Sequence, residues 1–453
     1  MTVTPSKPAV FPVTLWQQYL LEEAAHPDCL DDLRDRWIIT SAYLIQPGID
    51  LRRFKRAVEK LRARHDSLRI RFAMQQGVWR ALIDPPGGDH IRLLDLPEMD
   101  DDRFLAEISA IANAAIPIVD HPVSDFVVVR SGNRGDVLIV RLHHAIIDGY
   151  GIVTLMDDLF KFLSGIPVTA KAISHSEYLT RFHSPVPSRR EITEAFWKEM
   201  HQNFPPTPNV GRKAKGLEPL YQTIGVVDQR QLICSTSPHS NQQLENRAGA
   251  SGISPAMLLY AGFLESLCQC YDLDQVMFTS HVSRTDTAMD TYIGDHTLDI
   301  VLPYFPAGER SFADAAEALR VNFMNGLAHL PSDAARKGTP HEIDLIKAGS
   351  YPRQFSVYQP RVASKQNKSV FRAGYTADYG QPQQIGPVTV TNLDVRVRRR
   401  RVSELQLDLG VDPAKHGFEL HYDGLGYTEE EIRKLADMMC HLLELDLTKA
   451  IAS

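Results

Sequence analysis

Two apolar runs constrain this chain most: DFVVVR at 125–130 and VLIVRL at 137–142, separated only by SGNRGD. Gly, Asn and Asp in so short a connection favour a hairpin, so the runs read as neighbouring strands. The second strand feeds HHAIIDGYG at 143–151 and then GIVTLMDDLFKFLSG, in which Ile152, Leu155, Met156, Leu159 and Leu163 share one helical face. Gly165 and Pro167 stop that pattern. The result is a strand, loop, helix unit with two adjacent histidines and an Asp-Gly pair in its loop.

The α/β alternation extends on both sides. WQQYLLEEA (16–24) reads as a helix, IITSAYLI (38–45) as a strand, and DLRRFKRAVEKLRAR (50–64) as an amphipathic helix with Leu51, Phe54, Val58 and Leu61 on one face. SLRIRFAMQQGVWRALI (67–83) alternates around a turn at Gln76-Gly77, and FLAEISAIANAAI (104–116) is a further helix. At 453 residues the chain exceeds what one core usually organises. HSPVPSRR (183–190), with two prolines and little apolar content, reads as the linker, which divides the chain into lobes at 1–182 and 183–453. In the second lobe 194–204, 254–271 and 312–330 read as helices, 276–282 as a buried strand, and 350–402 as mostly strand and loop. A final helix spans 428–447, with Thr428 as N-cap and Glu431 three residues on. No internal repeat is visible.

Composition narrows the function. A net charge of −7 argues against a nucleic-acid binder. No stretch reaches about 18 consecutive apolar residues and the N-terminus lacks a signal pattern, so a cytoplasmic protein is expected. Five cysteines, Cys29, Cys234, Cys268, Cys270 and Cys440, lie scattered with no zinc spacing, so they read as reduced thiols and no metal is expected. Neither GxSxG nor a phosphate-binding glycine loop is present, which leaves acyl-enzyme and nucleotide chemistry without support.

The loop itself can do acid–base work. Alternation along an extended strand sends His143 and His144 to opposite faces, so one of them faces a given cavity. A neutral imidazole suits removal of a proton from an amine or alcohol near neutral pH. Asp148 can orient a histidine or pair with a cation, and Gly149 permits a tight turn. On spacing alone, a structural capping contact is the commoner explanation of such a His and Asp.

HHAIIDG resembles the HHxxxDG signature of condensation domains of nonribosomal peptide synthetases, in the chloramphenicol acetyltransferase-like acyltransferase superfamily. Further segments follow in family order. ARHDSLRIRF (63–72) is similar to RHExLRTxF, TLWQQYLL (14–21) to the opening segment around a Gln, and SHSEYLTRF (174–182) to YxDYAxW. FWKEM (196–200) matches the next family helix, and SHVSRTDT (280–287) falls where the family carries a strand ending in Arg. The resemblance implies α/β (two-layer α+β) architecture: two chloramphenicol acetyltransferase-like lobes in a V-shaped pseudo-dimer, with an active-site tunnel between them. It implies that His144 faces the reaction centre and deprotonates or positions the acceptor, that His143 is structural, that Asp148 pairs with Arg284, and that Gly149 allows the turn. Segments that depart from the family are IGDHTLDIVLP (293–303), two residues longer than IGxFVNTLP between its Gly and Pro and lacking the Asn, LAHLPSD (327–333) for HQDxPFE, and DYGQP (378–382) for DFGWG.

The chain ends soon after this region, so a free-standing, monomeric enzyme is expected. Its donor would be an acyl thioester on the phosphopantetheine of a separate acyl or peptidyl carrier protein, or on coenzyme A, with no bound cofactor. Amide formation on a small amine is the leading reading; ester formation on an alcohol, epimerisation and a non-catalytic carrier-recruitment module are the others. The run VRVRRRRVSE (395–404) reads either as a solvated sheet face or as a docking patch for an acidic carrier, with Arg399 and Arg401 its candidates. Charge reversal at both positions should raise the KM for a carrier-bound donor, and an unchanged KM removes the docking reading.

Overall fold

The computed structural model describes residues 7–25, 37–87, 91–182, 187–204, 210–217, 228–283, 291–295, 297–329, 355–358, 382–393, 395, 403–409 and 417–452. In chain order the elements are β1 (Ala9–Pro12), α1 (Leu15–Ala24), β2 (Ile38–Gln46), α2 (Leu51–Arg64), β3 (Ile70–Gln75), β4 (Val78–Ile83), β5 (Ile91–Asp95), α3 (Asp101–Asn113), β6 (Ser124–Arg130), β7 (Asp136–His143), α4 (Gly149–Leu163) and α5 (His175–Phe182). They continue with α6 (Pro187–Asn203), α7 (Val210–Ala214), β8 (Gln229–Thr236), α8 (Pro238–Ser251), α9 (Pro255–Tyr271), β9 (Val276–Ser283), β10 (Thr297–Tyr304), α10 (Phe312–Ala328), β11 (Phe355–Tyr358), β12 (Pro382–Ile385), β13 (Val388–Asn392), β14 (Leu405–Leu409), β15 (Phe418–Asp423), α11 (Glu429–Leu443) and β16 (Leu447–Ala452).

These elements form two compact units. The first takes the described residues up to 182 together with 291–295 and 382–395; the second takes 187–283, 297–358 and 403–452. Chain order and spatial grouping therefore part company twice.

The first unit is built on a six-stranded sheet of order β12-β13-β2-β7-β6-β5. Its centre is the hairpin β6–β7, in register at Val127↔Ile139 and Phe126↔Val140. Both faces of these strands are covered, which is why they read as near-continuous apolar runs rather than alternating ones. Phe126, Val128, Leu138 and Val140 pack with Phe54, Val58 and Leu61 of α2 and Ile152, Leu155 and Leu159 of α4. The intervening Val127, Val129, Val137 and Ile139 pack with Phe104, Ile108 and Ala112 of α3 on the other face. Gly135 closes the hairpin connection at φ 103°, and a Cβ there would come within 2.6 Å of the Ile45 carbonyl, so a side chain is excluded on two counts. A smaller sheet, β1-β4-β3, turns at Gln76 and Gly77, both with positive φ, as the alternation implies.

The second unit has a seven-stranded sheet of order β10-β9-β11-β14-β15-β8-β16. Helix α9 is buried from Ala256 to Cys268 and packs against α11. Cys234, Cys268 and Cys440 are buried and Cys270 half-buried, all free thiols; Cys29 lies outside the described residues. Among the described residues no helix is long and apolar enough to cross a membrane.

Two expected boundaries are corrected. Residues 187–190 are not linker but the first turn of α6, because proline at a helix start has no N–H to lose and a preset φ. The last helix stops at Leu443 rather than 447: Glu444 takes a left-handed φ of 56° and its N–H returns to the Cys440 and His441 carbonyls. The six residues from Leu447 then form β16 against β8.

β7 ends on His143, whose imidazole is fully buried and pushed down from its ordinary 6.5 to about 3, first by loss of water and then by the neighbouring His144. The unfolded chain binds this proton below about 6.5 while the folded chain refuses it until about 3, so stability is complete above the upper value and falls with pH through the window. For one group the slope reaches about 1.4 kcal/mol per pH unit. His65, also pushed down by burial, acts with the same sign. The urea midpoint should drop between pH 7 and pH 5, and should drop less in His143→Asn; equal slopes would place the acid sensitivity elsewhere.

Candidate functional site

The strand end positions two histidines differently. His143 pairs with Ile38 across β2 and β7, and its Nδ1 accepts the Ala145 N–H at 3.1 Å. His144 has left the strand: its N–H donates to the Trp37 carbonyl, and its side chain is 23 % exposed where that of His143 is buried. The His144 ring stands edge-on to Trp37, 6.1 Å between centroids. The two side chains therefore differ in exposure, but strand alternation is not the cause, because β7 stops at His143 and His144 lies outside it.

The rest of the loop is held from both ends. Asp148 is wholly buried and is the N-cap of α4, its Oδ1 accepting the Gly151 N–H at 2.6 Å. Such a cap contributes about 1 kcal/mol. Gly149 is the first residue of α4, a helical position and not the tight turn read from the sequence. On the other side Gln17 of α1 donates its side-chain N–H to the Ala145 carbonyl at 2.9 Å. The Gln17 Oε1 meanwhile accepts the Thr14 N–H, and Thr14 Oγ1 accepts the Gln17 N–H, a reciprocal cap that fixes the amide. Arg284, Arg399 and Arg401 lie outside the described residues.

The segment ARHDSLRIRF ties this loop to its surroundings. Arg64 and His65 both reach Asp158 of α4 at 2.8 Å. Burial would raise the Asp158 carboxyl, but the His65 hydrogen bond and the Arg64 charge outweigh it and hold it low. Asp66 accepts the N–H of His175 at the start of α5 at 2.8 Å. Ser67 donates to the Ile293 carbonyl. Residues 291–295 are pinned further where Tyr292 stacks on Tyr178 at 4.2 Å and its hydroxyl meets His175 Nδ1 at 3.1 Å. At the end of this segment Asp295, its side chain 6 % exposed, sets Oδ2 3.0 Å from His144 Nδ1.

Asp295 is the residue that sequence reasoning missed. Asp295 falls on the open x of IGxF, where the family pattern specifies no residue, and the segment read as a departure only for its length and missing Asn. Among the described residues no group of His, Cys, Asp and Glu side chains is gathered to hold a metal ion.

Gly294 matters to this placement. A Cβ on it would overlap the Tyr292 ring, so Gly294→Ala must move either that ring or the backbone that carries Asp295. Overpacking of this kind costs about 1–3 kcal/mol. Denaturant titration should show an unfolding free energy lower by about that amount, and an unchanged value would show that the ring yields freely.

Comparison with known proteins follows the same lines. The chain matches the Condensation domain family over residues 12–333. It is 21 % identical over 333 residues to tyrocidine synthase 3 of Brevibacillus parabrevis, an alignment that takes 72 % of this chain and 5 % of that protein. The SgcC5 protein from Streptomyces globisporus, solved in complex with a naphthyl ethanediol and sucrose, superposes with a TM-score of 0.68 at 17 % identity, covering 96 % of this chain and 98 % of that one. The epimerization domain from the third module of tyrocidine synthetase B superposes at 0.70 and 15 % identity over 98 % of both chains. The chain therefore spans about a twentieth of the tyrocidine synthase it matches and almost the whole of both solved structures. The fold is the mixed α/β, chloramphenicol acetyltransferase-like fold of these structures, and the match over residues 12–333 makes the chain a member of the Condensation domain family.

Proposed function

We propose that this protein is a cytoplasmic acyltransferase that forms amides. It takes an acyl group from the phosphopantetheine thioester of a separate acyl or peptidyl carrier protein, with coenzyme A the alternative donor, and passes it to a small amine in nonribosomal peptide or related secondary metabolite synthesis. The observation that carries the reading is the partition of the histidine pair: His143 buried, neutral and used as an acceptor by the backbone, His144 turned out of the strand and partly exposed. A rigid strand end supports a group that must meet a substrate in one geometry.

His144 takes the proton of the acceptor N–H as the nitrogen forms its bond to the thioester carbonyl carbon. Collapse of the tetrahedral adduct breaks the C–S bond, and the proton passes to sulfur, which leaves as the free phosphopantetheine thiol. The thioester is already activated, so the reaction as written asks for no cofactor bound by the chain. Asp148, through its cap on α4 and a proposed pairing with Arg284, keeps the loop in shape. Arg399 and Arg401 are the proposed carrier contacts.

A hydroxyl acceptor is the second reading, favoured by the diol bound in the SgcC5 structure. Intact-mass measurement of an acyl-loaded carrier protein, incubated with the enzyme and a pool of amines and alcohols, separates the two. Loss of the acyl group with a new amide is expected; an ester product would move the assignment to O-acyl transfer. His144→Ala should lower turnover roughly 10²–10⁴-fold, the usual worth of a positioned base. Carrier binding without transfer, equal in wild type and variant, would instead mark a recruitment module.

A further inference from the structure

We propose that Asp295 is the positioning residue for His144, holding the imidazole in the tautomer that carries its proton on Nδ1 and presents the Nε2 lone pair to the acceptor. The inference rests on the reading of His144 as the proton-accepting group. It begins with the 3.0 Å separation between His144 Nδ1 and Asp295 Oδ2. An ionised carboxylate can only accept, so the shared hydrogen belongs to Nδ1, and a neutral imidazole protonated there has its free lone pair on Nε2. An aspartate beside a catalytic histidine plays this orienting part on several unrelated folds.

The neighbouring groups are engaged elsewhere. The motif's own Asp148 has Oδ1 committed to the N-terminus of α4, through the Gly151 N–H. His143 uses its Nδ1 on the Ala145 N–H. The partners of the dyad are themselves held: the His144 backbone by the Trp37 carbonyl, and the Asp295 segment by Ser67, His175 and Tyr178. Both groups are thus in place before a substrate arrives, which removes the cost of ordering them during reaction. When Nε2 takes the acceptor's proton, the positive charge that forms on the ring faces the Asp295 carboxylate.

The test reads the ring directly. In protein labelled with ¹⁵N-histidine, the His144 signals are assigned by their loss in His144→Ala, and the ring nitrogens report where the proton sits with no substrate present. The wild-type enzyme should show a protonated Nδ1 and a bare Nε2, and Asp295→Ala should redistribute the proton toward Nε2. With the carrier and amine pair found by the mass assay, Asp295→Ala should lower kcat at least about tenfold, short of the roughly 10²–10⁴-fold loss in His144→Ala, with little change in KM. Asp295→Glu should recover part of kcat, since it restores a carboxylate within reach. A wild-type ring protonated on Nε2 overturns the proposal without recourse to any variant, as does an Asp295→Ala protein with unaltered tautomer and kcat. Neither outcome touches the base assignment, which fails only if His144→Ala turns over like the wild type.

Discussion

The burial of the β6–β7 hairpin on both faces is the constraint from which the site follows. Strands with helices above and below cannot slip by one residue without driving every side chain to the wrong face. The register Ser124↔Leu142 to Arg130↔Asp136 is therefore fixed, and with it the point at which β7 ends. His143, the last residue inside the sheet, meets the same dry environment as the valines before it and is held neutral. His144, one residue on, bonds its backbone to Trp37 outside the strand and turns its ring toward Asp295. One register thus decides which imidazole is structural and which is available.

A second layer of polar contacts converts that strand end into a rigid loop. Asp158 collects Arg64 and His65 from the end of α2, Asp66 begins α5, and Ser67 reaches the chain again at Ile293. Four consecutive residues, 64–67, thereby join α2, α4, α5 and the segment that delivers Asp295. Buried polar groups are expensive unless bonded, so these contacts favour one arrangement, although His65 Nδ1 and Asp66 Oδ1 find no hydrogen-bond partner among the described residues. This gives ARHDSLRIRF a physical reason to accompany the histidine motif, as the family resemblance has it.

Much of the first unit was legible because its signals are local. The hairpin, the amphipathic faces of α2 and α4 and the Gln76-Gly77 turn, like the Thr428 capping box in the second unit, each rest on residues a few positions apart. The elements that escaped depend on distant partners. β16 is six residues whose pairing with β8 lies more than 200 positions back, and nothing in LTKAIA separates it from a continuing helix. Helix α8 and strand β8 carry weak patterns of their own and are stabilised by α9 and the sheet. Asp295 shows the same limit at the site, being 151 residues from the histidine it contacts. Periodicity could place His144 at a strand end; it could not say which of the 56 acidic side chains would meet it.

Gln17 carries an implication of a different kind. One amide both caps α1 and grips the Ala145 carbonyl, 128 residues away, so the geometry of the loop is tied to the chain's first helix. α1 is itself anchored in the core through Leu20 and Leu21, so it holds that carbonyl, the one next to His144, from a packed element. The loop thus takes its shape partly from a helix far away in the chain, and a substitution at Thr14 or Gln17 that frees the amide would be felt at the histidine as well as in α1.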